Sequence, residues 1–198
     1  LNPDRRQTKR VLLTVALAFI LWFFTFSFPG GAFWAKISVS ASILALLSFS
    51  WGPLRWKILR PYPADILIGV VSAGALYGIF WAGKWVSGLI LPFSARQVGS
   101  IYQLGGETPR WVAALLLLFV TGPAEEIYWR GFLQGALMEK LGKTPGWLAA
   151  AFIYALVHIW TWNLMLMGAA AVAGLFWGGM YLRLGRLTPL IISHSIWS

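Results

Sequence analysis

The chain has 198 residues, 59% of them hydrophobic and 11% charged, with a net charge of +10 and no cysteine. Soluble domains hold roughly 25% charged residues, so this balance, with a mean hydropathy of +0.71, excludes an ordinary soluble globule. The missing cysteine excludes disulfides, thiol nucleophiles and thiolate metal sites.

A membrane crossing needs about 20 apolar residues. Runs of that kind lie near 11–28, 33–51, 65–82, 111–138, 147–162 and 164–182. The first follows "DRRQTKR" and imitates a signal peptide, but "FPGGAFWAK" behind it lacks an A-x-A cleavage site, so an anchoring helix is the reading. Segment 83–110 is less regular: "VSGLILPF" suggests a re-entrant or interfacial piece and "QLGGETPR" a loop. The stretch "TPLIISHSIWS" has 11 residues, about 16 Å of helix, too short to cross. These segments predict an all-α fold, a polytopic transmembrane helical bundle of about 7–8 helices. Residues 1–198 read as a single integral membrane domain, with no internal repeat or linker.

The basic residues fall between apolar runs rather than on one folded face, so nucleic acid is not an expected partner. With the amino terminus in the cytoplasm, Lys36, Lys84, Arg96 and Arg110 lie outside and Arg130 within a span. The other eleven of the sixteen Lys and Arg residues lie inside. That bias predicts a cytoplasmic amino terminus, and the expected location is a bacterial or archaeal cell membrane. Tryptophans such as Trp22, Trp34, Trp81, Trp85 and Trp111 read mostly as interfacial anchors, and Trp129 as a packing residue.

The informative stretch is "VTGPAEEIYWRGF", residues 120–132, which follows the apolar "WVAALLLLF". It holds two of the six acidic residues in the chain. A charge at the centre of a membrane helix costs on the order of 2.5–3.5 kcal/mol, so Glu125, Glu126 and Arg130 together point to a cavity or a site. Glu126 and Arg130 are four apart and share a helix face as a favourable ion pair. Glu125 turns elsewhere with its charge less fully compensated, which suits a general base. Pro123 removes a backbone donor and frees the carbonyl of Phe119, predicting a kink.

Both histidines of the chain, His158 and His194, lie in later apolar segments. His194 and Ser198 are four apart and share a face. Two glutamates and two histidines in a membrane core suggest hydrolysis by an activated water. No H-E-x-x-H pair and no buried aspartate dyad is present. A serine–histidine dyad and a His₂Glu zinc site from Glu125, His158 and His194 stay open at this point. So does a non-catalytic scaffold. Transport is disfavoured, because all the core polar residues lie in one half of the chain.

These residues resemble a known family. "EEIYWRG" is similar to the E-E-x-x-x-R-G signature of the CPBP membrane proteins, which include CAAX prenyl endopeptidases and bacteriocin-processing (Abi) enzymes. "FIYALVH" resembles the second motif, with Tyr154 where phenylalanine is usual. "GLFWGGMYLRLGRLTPLIISHSIWS" resembles the third, with Ser198 in place of its asparagine. The resemblance covers roughly 111–198, which it marks as the catalytic core. It implies an intramembrane endopeptidase of the glutamate type, needing no cofactor, acting on a membrane-associated or lipidated protein or peptide in the lipid bilayer. Glu125 would activate water with help from His158, Glu126 and Arg130 would hold the site together, and His194, with Ser198, would stabilise the oxyanion. Zinc dependence is a second implication, because the family has also been described as metalloproteases. Serine reaches less far than an asparagine amide, and loss of an oxyanion donor costs about 10²–10³ in rate. Ser198 is thus the departure that favours a slow site or a non-catalytic role such as bacteriocin immunity.

Overall fold

The structure, a computed structural model, describes residues 3–51, 56–106 and 108–197. Among the described residues there are eight helices and no strand. They are α1 (Pro3–Phe26), α2 (Phe33–Trp51), α3 (Ala64–Ile90), α4 (Ser94–Gln103), α5 (Arg110–Leu141), α6 (Lys143–Leu156), α7 (Leu164–Leu184) and α8 (Thr188–Trp197). Short 3₁₀ turns occupy Trp56–Leu59 and Val157–Thr161. The chain is an all-α polytopic helical bundle.

Helices α1, α2, α3, α5 and α7 are long and apolar enough to cross a membrane. The span expected at 147–162 is instead α6, 14 residues or about 21 Å, extended by the 3₁₀ turn that holds His158. The re-entrant piece expected at "VSGLILPF" is the last turn of α3, which continues to Ile90. The polar segment behind it forms α4, which docks on the start of α7. There the Asn163 amide donates to the Gln97 carbonyl at 2.8 Å, and the Gln97 side chain accepts from the Met165 N–H at 3.0 Å.

Polar contacts tie each end of the bundle together. At one end the Lys140 ammonium donates to Thr8 at 2.9 Å, Gln7 donates to Glu139 at 3.1 Å and Arg10 donates to the Trp51 carbonyl at 2.8 Å. At the same end Asp65, 0% exposed at the start of α3, pairs with Arg186 between α7 and α8 at 2.8 Å. Beside that pair the Leu187 N–H donates to Ile58 at 2.7 Å. At the other end Ser27 donates to the Trp160 carbonyl at 3.1 Å.

Inside the bundle small residues let helices approach closely, as is usual where van der Waals packing rather than water drives association. A buried stripe of Ser38, Ser40, Ala41, Ala45 and Ser48 lines α2. From that stripe Ser38 hydrogen-bonds Thr121 of α5 at 2.9 Å, and Ser40 meets Thr25 of α1 at 3.1 Å. A β-carbon at Gly69 of α3 would lie 2.5 Å from Ile192 of α8. Only glycine admits α8 at that distance.

The helix carrying the carboxylates is not a regular α-helix. Residues 117–121 and 127–134 of α5 are π-helical: the Gly122 N–H bonds Leu117, and the Gly135 N–H bonds Arg130, each five residues back. In that register the carbonyl deprived of a partner by Pro123 is Leu118, not Phe119 as the α-helical count predicts. Ser195 of α8 donates its hydroxyl to Leu118 at 3.1 Å. Gly122 makes the approach possible, since a β-carbon there would meet Ser195 Oγ at 2.6 Å. Gly122-Pro123 is thus the crossing point of α5 and α8.

Candidate active site

Three helices converge on the carboxylate pair: α5 brings Glu125, Glu126 and Arg130, α6 brings Tyr154 just before His158, and α8 brings His194. All six side chains are buried, with Glu126 at 0% and Glu125 at 7% exposure. Ser198 lies outside the described residues.

Glu126 is the ion-paired member of the pair, through one of its oxygens; its Oε2 is buried with no hydrogen-bond partner among the described residues. Its Oε1 accepts from Arg130 Nη1 at 2.8 Å and from His194 Nδ1 at 2.7 Å. Arg130 also reaches the Ala173 carbonyl on α7 at 3.4 Å, and its guanidinium lies over the rings of Tyr154, at 4.6 Å, and Trp177, at 5.4 Å. His194 stacks on Trp177 with ring centroids 4.0 Å apart, and the Trp177 indole donates to Ser193 at 3.1 Å. One carboxylate oxygen therefore joins α5 to α8, and one guanidinium joins α5 to α6 and α7. The i,i+4 pairing expected from the sequence is present.

Glu125 faces α6 instead, where the Tyr154 hydroxyl donates to Oε2 at 3.0 Å. Oε1 has no hydrogen-bond partner among the described residues. The two glutamates thus diverge as their positions on the helix predict, and the π register around them does not undo it.

His158 does not touch Glu125 directly; Tyr154 stands between them. Its Nδ1 lies 2.8 Å from the Tyr154 carbonyl, and its Nε2 lies 3.3 Å from the Trp22 indole nitrogen. A carbonyl only accepts and an indole N–H only donates. The ring is therefore a neutral tautomer with its proton on Nδ1. Trp22, read from the sequence as an interfacial anchor, is 0% exposed in the core, edge-on to Trp129 at 5.6 Å. A tryptophan in an apolar helix gives no sequence sign of which way it points. By contrast Trp81 and Trp85 are 67% and 63% exposed on the bundle surface. Trp129 is a packing residue, as expected.

The His₂Glu ligand set left open above does not assemble. His158 lies beyond Tyr154 from Glu125, its ring nitrogens directed to Tyr154 and Trp22, and His194 turns Nδ1 to Glu126 rather than Glu125. Among the described residues no three His, Asp or Glu side chains form a group able to hold a metal ion.

What this arrangement can do is bring a carboxylate without an ion pair among the described residues, Glu125, a fixed imidazole and a second histidine into one buried core. The sequence carries a family signal over the same residues: positions 107–198 match the model of type II CAAX prenyl endopeptidases, Rce1-like. This segment belongs to the CPBP family. The match supports a CAAX-type intramembrane protease in general terms, in a chain that is an integral membrane protein. The CPBP segment takes in α5 to α8 and leaves out Trp22 and Asp65, which the first half contributes. No curated protein and no solved structure matches the chain.

Proposed function

We propose that the chain is an intramembrane endopeptidase that hydrolyses a peptide bond of a membrane-associated or lipidated protein or peptide. The observation that carries this reading is the unequal treatment of two adjacent buried carboxylates. Glu126 is ion-paired with Arg130 and hydrogen-bonded to His194, whereas Glu125 has no ion pair among the described residues and is held by one neutral donor on Oε2.

In this reading Glu125 Oε1 takes a proton from water, and the resulting hydroxide attacks the scissile carbonyl. His158 assists through Nε2, whose bond to Trp22 is long at 3.3 Å and exchanges for one to the water. His194 polarises the carbonyl oxygen, with Ser198 as a second donor. Glu126 and Arg130 fix the frame. The proton held by Glu125 then passes to the leaving amine. The mechanism uses no cofactor, and the bilayer is both solvent and source of substrate. The excess of Lys and Arg on one side supports a cytoplasmic amino terminus, and the proposed location is a bacterial or archaeal cell membrane.

The test compares membranes carrying the native chain with membranes carrying Glu125→Gln, mapping new peptide termini by mass spectrometry. Termini made only by the native chain are expected, and they name the substrate. Identical termini, with both proteins folded, would replace the protease reading by a non-catalytic one such as bacteriocin immunity.

A further inference from the structure

Tyr154 occupies a place for which the bundle makes specific provision. Its ring lies under the Arg130 guanidinium at 4.6 Å and edge-on to Trp129 at 5.0 Å. On α7, a β-carbon at Gly174 would come within 3.2 Å of the ring atom Cδ1 and 3.3 Å of the Ala151 backbone, so glycine there lets α6 and its ring lie close. The backbone carbonyl of the same residue accepts from His158 Nδ1 at 2.8 Å, and the hydroxyl donates to Glu125 Oε2 at 3.0 Å. One residue thus touches Glu125, Arg130 and His158.

The hydroxyl contact decides the orientation of Glu125. No other hydrogen bond restrains that carboxylate among the described residues. A glutamate has three rotatable side-chain bonds, so without the contact its two oxygens would exchange places. A phenol is also a suitable donor for a base: it orients the carboxylate without the full positive charge that Arg130 gives Glu126.

We propose that Tyr154 is a positioning residue of the site: its O–H pins Oε2 of Glu125 and so presents Oε1 as the atom that takes the proton from water. The kinetic part rests on the protease reading above; the hydrogen bond and its effect on Glu125 do not.

The variant Tyr154→Phe removes one O–H while keeping the ring under Arg130 and the carbonyl that serves His158. The full chain, with ¹³C-labelled glutamate carboxyls, is examined by infrared difference spectroscopy, and Glu125→Gln assigns the Glu125 band. The expected result is a shift of that band in Tyr154→Phe, and an unmoved band overturns the proposal. Should Tyr154→Phe not fold, Gly174→Ala presses on the same ring and on the α6 backbone behind it and is expected to shift the band; no shift there overturns the proposal equally. On the substrate found by terminus mapping, Tyr154→Phe lowers kcat by about ten- to hundredfold and leaves KM within about twofold. An unchanged kcat beside a shifted band would overturn the positioning role. A shifted band in a native protein that cuts nothing would instead overturn the protease reading, leaving Tyr154 as an anchor of the carboxylate.

Discussion

At the scale of single residues, two neighbouring glutamates have opposite duties, and substitution separates them. Glu126→Gln leaves Arg130, 2% exposed, without its carboxylate in a water-poor core. Breaking a buried pair by removing one partner costs about 3–5 kcal/mol. Glu126→Gln is therefore expected to lower the thermal midpoint in detergent sharply. Glu125→Gln should leave it nearly unchanged while abolishing cleavage. Equal midpoints for the two variants would contradict this division. The distinction was legible in the sequence because four-residue spacing is a local property of a helix. The identity of the partner on Glu125 was not. Tyr154 is 29 residues away, and nothing in "FIYALVH" says which ring reaches across. Trp22 lies 136 residues before His158, beyond any local pattern.

At the scale of the helix, the crossing of α5 and α8 depends on one missing methyl group. Gly122→Ala sets a β-carbon 2.6 Å from Ser195 Oγ and 2.9 Å from the Leu117 carbonyl. Overpacking of that kind costs about 1–3 kcal/mol. The double variant with Ser195→Ala should recover part of the loss. The check is a set of unfolding midpoints for the two single variants and the double. Strict additivity would mean that the two sites do not touch. Existence and class of the long helices followed from apolar runs of spanning length, and the irregularity near Pro123 followed from the donor that proline lacks. Its form did not. A π turn changes which carbonyl is orphaned, Leu118 rather than Phe119, and that depends on where α8 comes to rest. For the same reason 83–110 was misread: the end of α3 is set by Leu91 leaving the helix and not by a break in hydrophobicity.

At the scale of the molecule, the two halves are joined by the ion pair of Asp65 and Arg186. Their burial is unequal, with side chains 1% and 23% exposed respectively. Arg186→Met strands a buried carboxylate that keeps, among the described residues, only the Tyr62 N–H at 2.9 Å, whereas Asp65→Asn leaves an arginine that can turn to water. Arg186→Met is thus expected to lower the midpoint more than Asp65→Asn, by about 3–5 kcal/mol in the first case. A larger loss in Asp65→Asn would reverse the argument. From the sequence Asp65 was only a charge at the start of a segment, since its partner lies 121 residues on.

That separation has a consequence for biogenesis. Glu126 and Arg130 leave the ribosome four residues apart and enter the bilayer already neutralising each other. Asp65 waits for Arg186 through 121 residues of synthesis, roughly six to twenty-four seconds at 5–20 residues per second. The first helices therefore pass through the insertion machinery unlatched, and the helix bearing His194 is seated only after α7 has been made. Because the chain has no cysteine of its own, a cysteine pair at positions 65 and 186 would report the moment of closure in ribosome-stalled chains. Cross-linking should begin only in nascent chains long enough for position 186 to have cleared the exit tunnel and for α7 to have inserted.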